Sequence, residues 1–598
     1  MRGLAARLDD RFRLLTRGRR TALPRHQTLS ATLDWSYNLL DETERVILNR
    51  LAVFAGNFSL EAAQAVAAGD DFERTRFVET VSNLVVKSLA TADHGGRAIR
   101  YRLLDTTRAY VRQKLIESGE ADKIARRHAI YYCELLSRTE VFFQSSALAK
   151  SGDVVTPEEH LANVHAALEW SFSARGDTQV GTALSAAAAP SFLKASLLAE
   201  CRVWMQRSLA ALDPALHGTR REMELQASLA PCLMFTKGNS EEVRSAFLRG
   251  LKLAEELEDH QIRLLGGLHI FLTRIGDFSG ALDVAHRSRV VAELSADPAA
   301  VTMSDCMLGL SYHLVGDQLS AQARCESALR PSLSRYANLI RFGYDHRIVA
   351  LAALARTLWL RGHADRAVTM ARESLAEADT LDDPASLGAC LMYAAYVFLW
   401  IGDWAVADAI GERLIEHAER YSLAPYHAAG LGFRGVQSLK RGDTQGGIAL
   451  LRTCLQAIKA DRYHVLTPGF SCELAEGFAM TGQVEAALAT IDEVMRSGPV
   501  QSFRTPELWR LKGQLLALAG KSRPSEAESW LLRSLDEARR QSALSWELRT
   551  ATSLAGLWRS QGRNDEAQRA LFSVYERFTE GFGTADLRAA KLLLHEVA

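Results

Sequence analysis

A chain of 598 residues with 71 Lys+Arg against 71 Asp+Glu carries no net charge, which excludes a whole-molecule attraction to nucleic acid or anionic membrane. Its composition, 48% hydrophobic and 24% charged, excludes disorder as the dominant state. Proline makes up 13 residues, about 2% against a usual 5%, so long uninterrupted helices are expected.

Eight cysteines without a C-x-x-C pair read as small buried hydrophobes in a reducing compartment. No apolar run is expected to reach the roughly 18 residues of a membrane span, and the N-terminus has no apolar core for a secretory signal. The chain therefore reads as cytoplasmic and soluble.

Residues 1–25 hold eight Arg and two Asp, a local charge of +6 that the rest of the chain cancels. Thr28 to Gly56 then gives two helices: Leu33, Tyr37 and Leu40 share one face, and Asp41 can cap the next, with Val46, Leu48, Leu51 and Phe54. A third helix begins at Ser59-Leu60-Glu61, and a fourth is expected over Val78 to Leu89. Two extended pieces, 88–92 and 99–104, flank Asp93-His94-Gly95-Gly96, a hairpin signal. Helices followed by a hairpin describe a winged helix, expected over 26–118. From Thr107 the chain is helical again, with linking helices over 119–190.

From residue 191 a period emerges. A glycine, often followed by Asp, precedes a small residue by five positions: Gly276 and Ala281, Gly316 and Ala321, Gly362 and Ala367, Gly402 and Ala407, Gly442 and Gly447, Gly482 and Ala487, Gly562 and Ala567. Gly238 and Gly520 extend the series, whose steps are 38, 40, 46, 40, 40, 40, 38 and 42 residues. The glycine ends one helix with positive φ, the Asp caps the next, and the small residue lets the two approach. After one such turn, Trp404, Ala407, Leu414 and Ile415 form a packing stripe. Phe192 to Leu209 reads as an earlier unit with Ala195 in the glycine's place, for about ten units in all. Such pairs bury their apolar faces only by stacking into a superhelix.

The unit resembles the tetratricopeptide repeat, stretched from 34 to about 40 residues. LDWSYNLLDETERVILNRLAVFAG, with YRLLDTTRAY after the hairpin, resembles the winged-helix segment of the STAND signalling ATPases. Both chain ends are similar to bacterial predicted ATPases and transcriptional regulators of that group, whose winged helix follows a nucleotide-binding NB-ARC domain. The resemblance implies a mostly α protein, a small winged helix followed by a right-handed α-solenoid over 191–598. It also implies that residues 1–25 are the remnant of a helical subdomain and that ATP or ADP belongs to an upstream domain.

Within the chain no G-x-x-x-x-G-K-[ST] occurs; Gly520-Lys521-Ser522 has Leu515 where the first glycine belongs. Leu103, Leu104 and Asp105 occupy the positions of the family's Met-His-Asp motif, so the phosphate-sensing imidazole is a leucine. Asp105 then reads as a helix cap. Gly430, Gly432 and Gly435 spell G-x-G-x-x-G without the preceding strand a dinucleotide site needs, and read as tight helix packing. His595-Glu596 lies too near the end for H-E-x-x-H, and His26, His128, His269 and His464 have no partner at ligand spacing. No catalytic site, cofactor or metal is expected.

Ser59 to Ala68, read as the DNA-recognition helix, contains Glu61 and no Lys or Arg, which disfavours direct DNA binding. The expected function is a non-enzymatic regulatory scaffold. Its solenoid binds a protein or small ligand, and its winged helix relays this to an NB-ARC-type module. Tyr312, His313, Trp359, Arg361, Tyr396 and Trp400 are candidates for the concave surface, although core positions suit each of them too. The alternatives are a DNA-binding regulator and the C-terminal half of an ATP-hydrolysing one.

Overall fold

The computed structural model describes residues 29–598 apart from 70, 96–98, 145–159, 196, 258–260, 296, 331–344, 382, 499–500, 520–523 and 598. The basic segment 1–25, His26 and the Gly520-Lys521-Ser522 fragment lie outside the described residues. Contacts divide the chain into two compact units, Met1–Ser228 and Leu229–Ala598.

The first unit begins with α1 (Leu29–Asn38), α2 (Glu42–Leu51), α3 (Leu60–Ala63, continued by a π turn to Ala68) and α4 (Arg74–Val86). Asp41 starts α2 through a reciprocal capping box: its side chain accepts from Glu44 N–H at 2.8 Å, and Glu44 accepts from the Asp41 N–H at 3.0 Å. Strands β1 (Thr91–Asp93) and β2 (Arg100–Arg102) pair antiparallel, with Ala92 opposite Tyr101. Phe58 adds an antiparallel bridge to Tyr101, so the wing has a third short arm before α3. Helix α5 (Asp105–Glu117) closes this winged helix. Then follow α6 (Ala121–Gln144), α7 (Leu161–Ser171), α8 (Thr178–Lys194) and α9 (Leu198–Ala210), and the division after Ser228 falls within α10 (Arg220–Lys237). The array's expected start at residue 191 falls inside α8. Ala195, in the glycine's place, is not left-handed but has φ −76°.

The second unit is a tetratricopeptide-like solenoid. Its helices are α11 (Glu241–Glu256), α12 (Gln261–Ile275), α13 (Phe278–Ser295), α14 (Pro298–Val315), α15 (Gln318–Ala328), α16 (His346–Leu360), α17 (Ala364–Asp379), α18 (Pro384–Ile401) and α19 (Trp404–Tyr421). They continue as α20 (Ala424–Lys440), α21 (Thr444–Ala460), α22 (Thr467–Met480), α23 (Val484–Ser497), α24 (Thr505–Leu518), α25 (Pro524–Arg540), α26 (Leu544–Ser560), α27 (Asn564–Tyr575) and α28 (Ala585–Val597).

The repeat chemistry appears as the spacing predicts. Gly316 and Gly402 end their helices left-handed at φ 96° and 85°. Asp317 and Asp403 then accept from Ser320 and Val406 N–H. The small residues Ala281, Ala321, Ala367, Ala407, Ala487 and Ala567 are completely or almost completely buried. On α19, Ala407, Leu414 and Ile415 are buried, whereas Trp404 is left partly exposed beneath the Lys440 ammonium. The G-x-G-x-x-G glycines lie inside α20, where a Cβ on Gly430 would come 2.4 Å from Ile415 Cγ1. Close packing is their role.

Even-numbered helices from α14 to α26 line the interior, and odd-numbered ones clothe the outside. Helix α16 is buried along every described turn, and α18 nearly so. Pro384–Ile401 is thereby long and apolar enough to cross a membrane, against the expectation that no segment is; 78% of it is buried in the helical layer. Each inner helix packs on the next, and α16 also packs on α26, so α16, α18, α20, α22, α24 and α26 form a closed ring of six.

Candidate functional site

In the first unit, the winged helix and the helices after it share one core. Asn163 on α7 acts as a buried clamp: its Oδ1 accepts from Ala55 N–H (2.8 Å) and Gly56 N–H (3.2 Å), and its Nδ2 donates to Asn57 O (2.8 Å). Beside it Phe54 stacks on Phe58, and His128 lies edge-on to Phe54 and Tyr132. Burial holds the His128 imidazole neutral, with its pKa lowered to about 3. Arg50 on α2 is buried too. It donates to Ala67 O (3.0 Å), Asp71 (2.9 Å) and Glu120 (3.0 and 2.6 Å).

The structure corrects two readings of this domain. The helix that precedes the wing is α4, not Ser59–Ala68, which is the short second helix of the fold. The outward residues of α4 include Arg74, Thr75, Arg76, Glu79, Ser82 and Asn83, so the helix before the wing does carry basic side chains. Arg76 reaches Thr43 at 2.9 Å, and Lys87 is spent on Glu44 at 2.6 Å. Asp105 is the second correction. The cap position of α5 falls on Leu104, no side chain caps the helix, and exposed Asp105 instead faces Arg102 at 3.5 Å. Leu103 is buried and Leu104 half-exposed.

The second unit gathers its chemistry inside the ring. Of the six candidate concave-surface residues, His313, Trp359, Tyr396 and Trp400 are buried in the interior, at 0%, 2%, 6% and 6% exposure. Tyr312 sits partly exposed beside His286 Nε2 (3.3 Å), and Arg361 donates to Gln322 Oε1 (2.7 Å). The core alternative holds for these four, because repeats from later in the chain close over the concave wall. Trp359 and Trp400 lie 4.6 Å apart, and Trp546 on α26 meets them at 4.9 and 5.7 Å. Tyr396 meets Phe433 at 5.1 Å and Phe470 at 6.0 Å.

Charges that sequence reasoning missed line the same interior. The Arg356 guanidinium lies over Tyr393 at 4.1 Å, and that of Arg504 over Tyr396 at 4.6 Å and Trp400 at 5.3 Å. Burial, reinforced by nearby Arg504, lowers Arg356 to about 10. Glu473 on α22 is raised to about 7 by burial and by neighbouring Glu476, against the pull of Lys440, Arg504 and Arg549. A second group is fully paired. Arg510 donates to Glu507 at 2.6 and 2.8 Å, and Arg549 donates to Glu507 (3.2 Å) and Asp586 (2.8 Å). Burial alone would raise Glu507, but the two guanidiniums hold it at about 2. One signal for the interior did exist in the sequence: Arg356 is the only charge within IVALAALARTLWL.

Comparison with known proteins agrees with the winged helix. Residues 40–116 match a winged helix-turn-helix domain family. A Mycobacterium tuberculosis protein provisionally named an HTH-type transcriptional regulator is 29% identical over 458 residues, 74% of this chain and 50% of its own length. A second, uncharacterised protein of that organism is 44% identical over 126 residues, 21% of this chain and 32% of its own. The chain thus spans about half the length, or less, of these curated relatives. Among solved structures it is similar to a STAND protein with a tetratricopeptide repeat sensor from Pyrococcus horikoshii, at a TM-score of 0.32 and 13% identity, over 88% of this chain and 66% of that one. It is also similar to a Rap protein in complex with Competence and Sporulation Factor, at 0.43 and 12%, over 65% and 99%.

Proposed function

We propose that the chain is a regulatory scaffold without catalytic activity of its own. Its solenoid receives a partner or ligand, and its winged helix passes the effect to a nucleotide-binding module. The observation that carries the relay is the Asn163 clamp, which fastens the 55–57 loop of the winged helix to α7 by three hydrogen bonds. A change in the helices after the winged helix then moves the winged helix with them. Cross-linking of the full chain in its native cytosol, read by mass spectrometry, tests the first half of this reading. Cross-links to partners are expected on 229–598; a set confined to 40–116 contradicts it. Equilibrium dialysis with labelled ATP or ADP is expected to show no binding to this chain.

Direct contact with DNA is the second reading, and the exposed Arg74 and Arg76 in the first turn of α4 favour it. Fluorescence anisotropy with a duplex library at low salt separates the two. The scaffold reading predicts only weak, sequence-independent binding, whereas a selected sequence whose binding is lost in Arg74→Glu establishes the DNA reading.

A further inference from the structure

The interior of the six-helix ring contains an electrostatic imbalance that packing does not explain. Arg356 and Arg504 sit over Tyr393 and Tyr396, residues three apart on α18 and therefore one turn apart on one face. Arg356 donates only to the Ala352 carbonyl within its own helix, and its Nη2 has no partner. Among the described residues neither guanidinium makes an ion pair or a hydrogen bond to a carboxylate. A buried cation without a counter-ion costs several kcal/mol, so nature rarely leaves two side by side. The Tyr396 hydroxyl, buried and without a partner, converges on the same point. Nε2 of His313 is also without a partner, and its ring is held neutral by burial and by both arginines.

The backbone approaches this group closely. Gly469 opens α22 where a Cβ would lie 2.8 Å from Tyr396 Oη and 3.0 Å from Arg504 Nη2. Any other residue would fill the point on which hydroxyl and guanidinium converge. One helical turn on, Glu473 is partly buried as a residue, and its Oε2 is buried without a donor. With His313 neutral, the two guanidiniums carry two positive charges and Glu473 offsets at most one. About one unit of negative charge is therefore wanting, which matches a carboxylate better than a doubly charged phosphate.

We infer that Arg356, Arg504 and the Tyr396 hydroxyl form an interior binding site for a small carboxylate ligand, with aromatic walls from Trp400 and Phe470 and with Glu473 one turn beyond Gly469. This rests on the reading of the solenoid as the receiving part and gives that part a ligand class. The aromatic rings occupy the faces of both guanidiniums, so their N–H edges are left to meet an oxyanion in its plane. Ligand binding would join α16, α18, α22 and α24 across the ring.

Isothermal titration of the full chain at neutral pH tests this, with benzoate, acetate and L-phenylalanine as carboxylate probes and with inorganic phosphate and chloride at matched ionic strength. At least one carboxylate is expected to bind with a dissociation constant below about 1 mM. Tyr396→Phe keeps the ring packing and should weaken it about fivefold; Arg504→Gln should weaken it more than about tenfold. Circular dichroism and the thermal midpoint of each free variant establish that it is folded. Three results would overturn the site: no carboxylate binds, phosphate alone binds, or both folded variants bind like the parent. Partner cross-links on 229–598 together with silent titrations would remove the carboxylate and leave the scaffold reading standing.

Discussion

Gly402 and Gly442 hold the same place in successive repeats, yet their surroundings differ. Both have positive φ, which costs an L-residue about 1–2 kcal/mol. A Cβ on Gly442 would meet nothing within 4 Å, whereas one on Gly402 would lie 2.9 Å from Ala585 Cβ. Gly442→Ala should therefore lose about 1 kcal/mol and Gly402→Ala clearly more, as measured by urea denaturation. Equal losses would show that the coils do not meet at Gly402. Titration belongs to this scale as well. Burial lowers His128 and His269 to about 3 and His346 to about 4, and places His313 well below its ordinary value. Below pH about 6.5 the unfolded chain protonates these four imidazoles while the folded chain does not. Stability should therefore fall as pH drops from about 6.5 towards 4. Glu473 works the other way between about 4.5 and 7, because its folded carboxyl keeps a proton the unfolded one has lost. Asp461 and Asp586 are raised by burial too, and His363 and His464 are lowered by it, so three carboxyls oppose six imidazoles; a stability that is flat or rising with acidification over this window contradicts the burial of the imidazoles.

The elements show which parts of the fold local chemistry encodes. The repeat turns were legible because each writes its own signal, a glycine for positive φ and, in several, an Asp for the free N–H groups of the next helix. The hairpin and the Asp41 capping box were legible for the same reason. Helix α4 was not. Its cap residue, Glu73, makes no side-chain capping bond, so nothing marks the start, and the expected onset at Val78 lies one turn late. Without α4's first turn, Arg74 and Arg76 dropped out of the recognition helix, and the short helix at Ser59 took its place. Asn163 is the element-scale counterpart. Its three bonds span more than 100 residues and leave no mark in local sequence. Asn163→Ala strands two N–H groups and a carbonyl, so a loss of about 2–4 kcal/mol from the first unit is expected in chemical denaturation. A loss below about 1 kcal/mol would show that the clamp is not what fastens the winged helix.

At the scale of the whole molecule, the second unit departs from a linear repeat array. Neighbour-only packing gives gradual unfolding from the ends. Here Ser545 Oγ donates to Trp359 O, Asn239 donates to Asp461 O (3.1 Å), and the Asp365 and Arg366 N–H groups donate to Glu580. These joints link helices about five pairs apart, at a separation set by superhelical pitch. The periodicity gives the pairs but not the pitch, which is why the interior aromatics could not be told from concave-surface contacts and Arg504 and Glu473 were missed. Trp546→Ala should cost about 3–5 kcal/mol and weaken cooperativity along the array, seen as a broader urea transition. A smaller loss with unchanged sharpness would argue that the ring is not held at α16 and α26.

The relay from solenoid to winged helix can be followed directly by hydrogen exchange on the full chain, with and without whichever cross-linked partner or titrated carboxylate binds it. Binding should change exchange within 229–598 and, in the parent chain, also at residues 42–68 of the winged helix. In Asn163→Ala the first change should persist and the second should vanish. A winged helix that responds equally in both chains, or in neither, would contradict the relay.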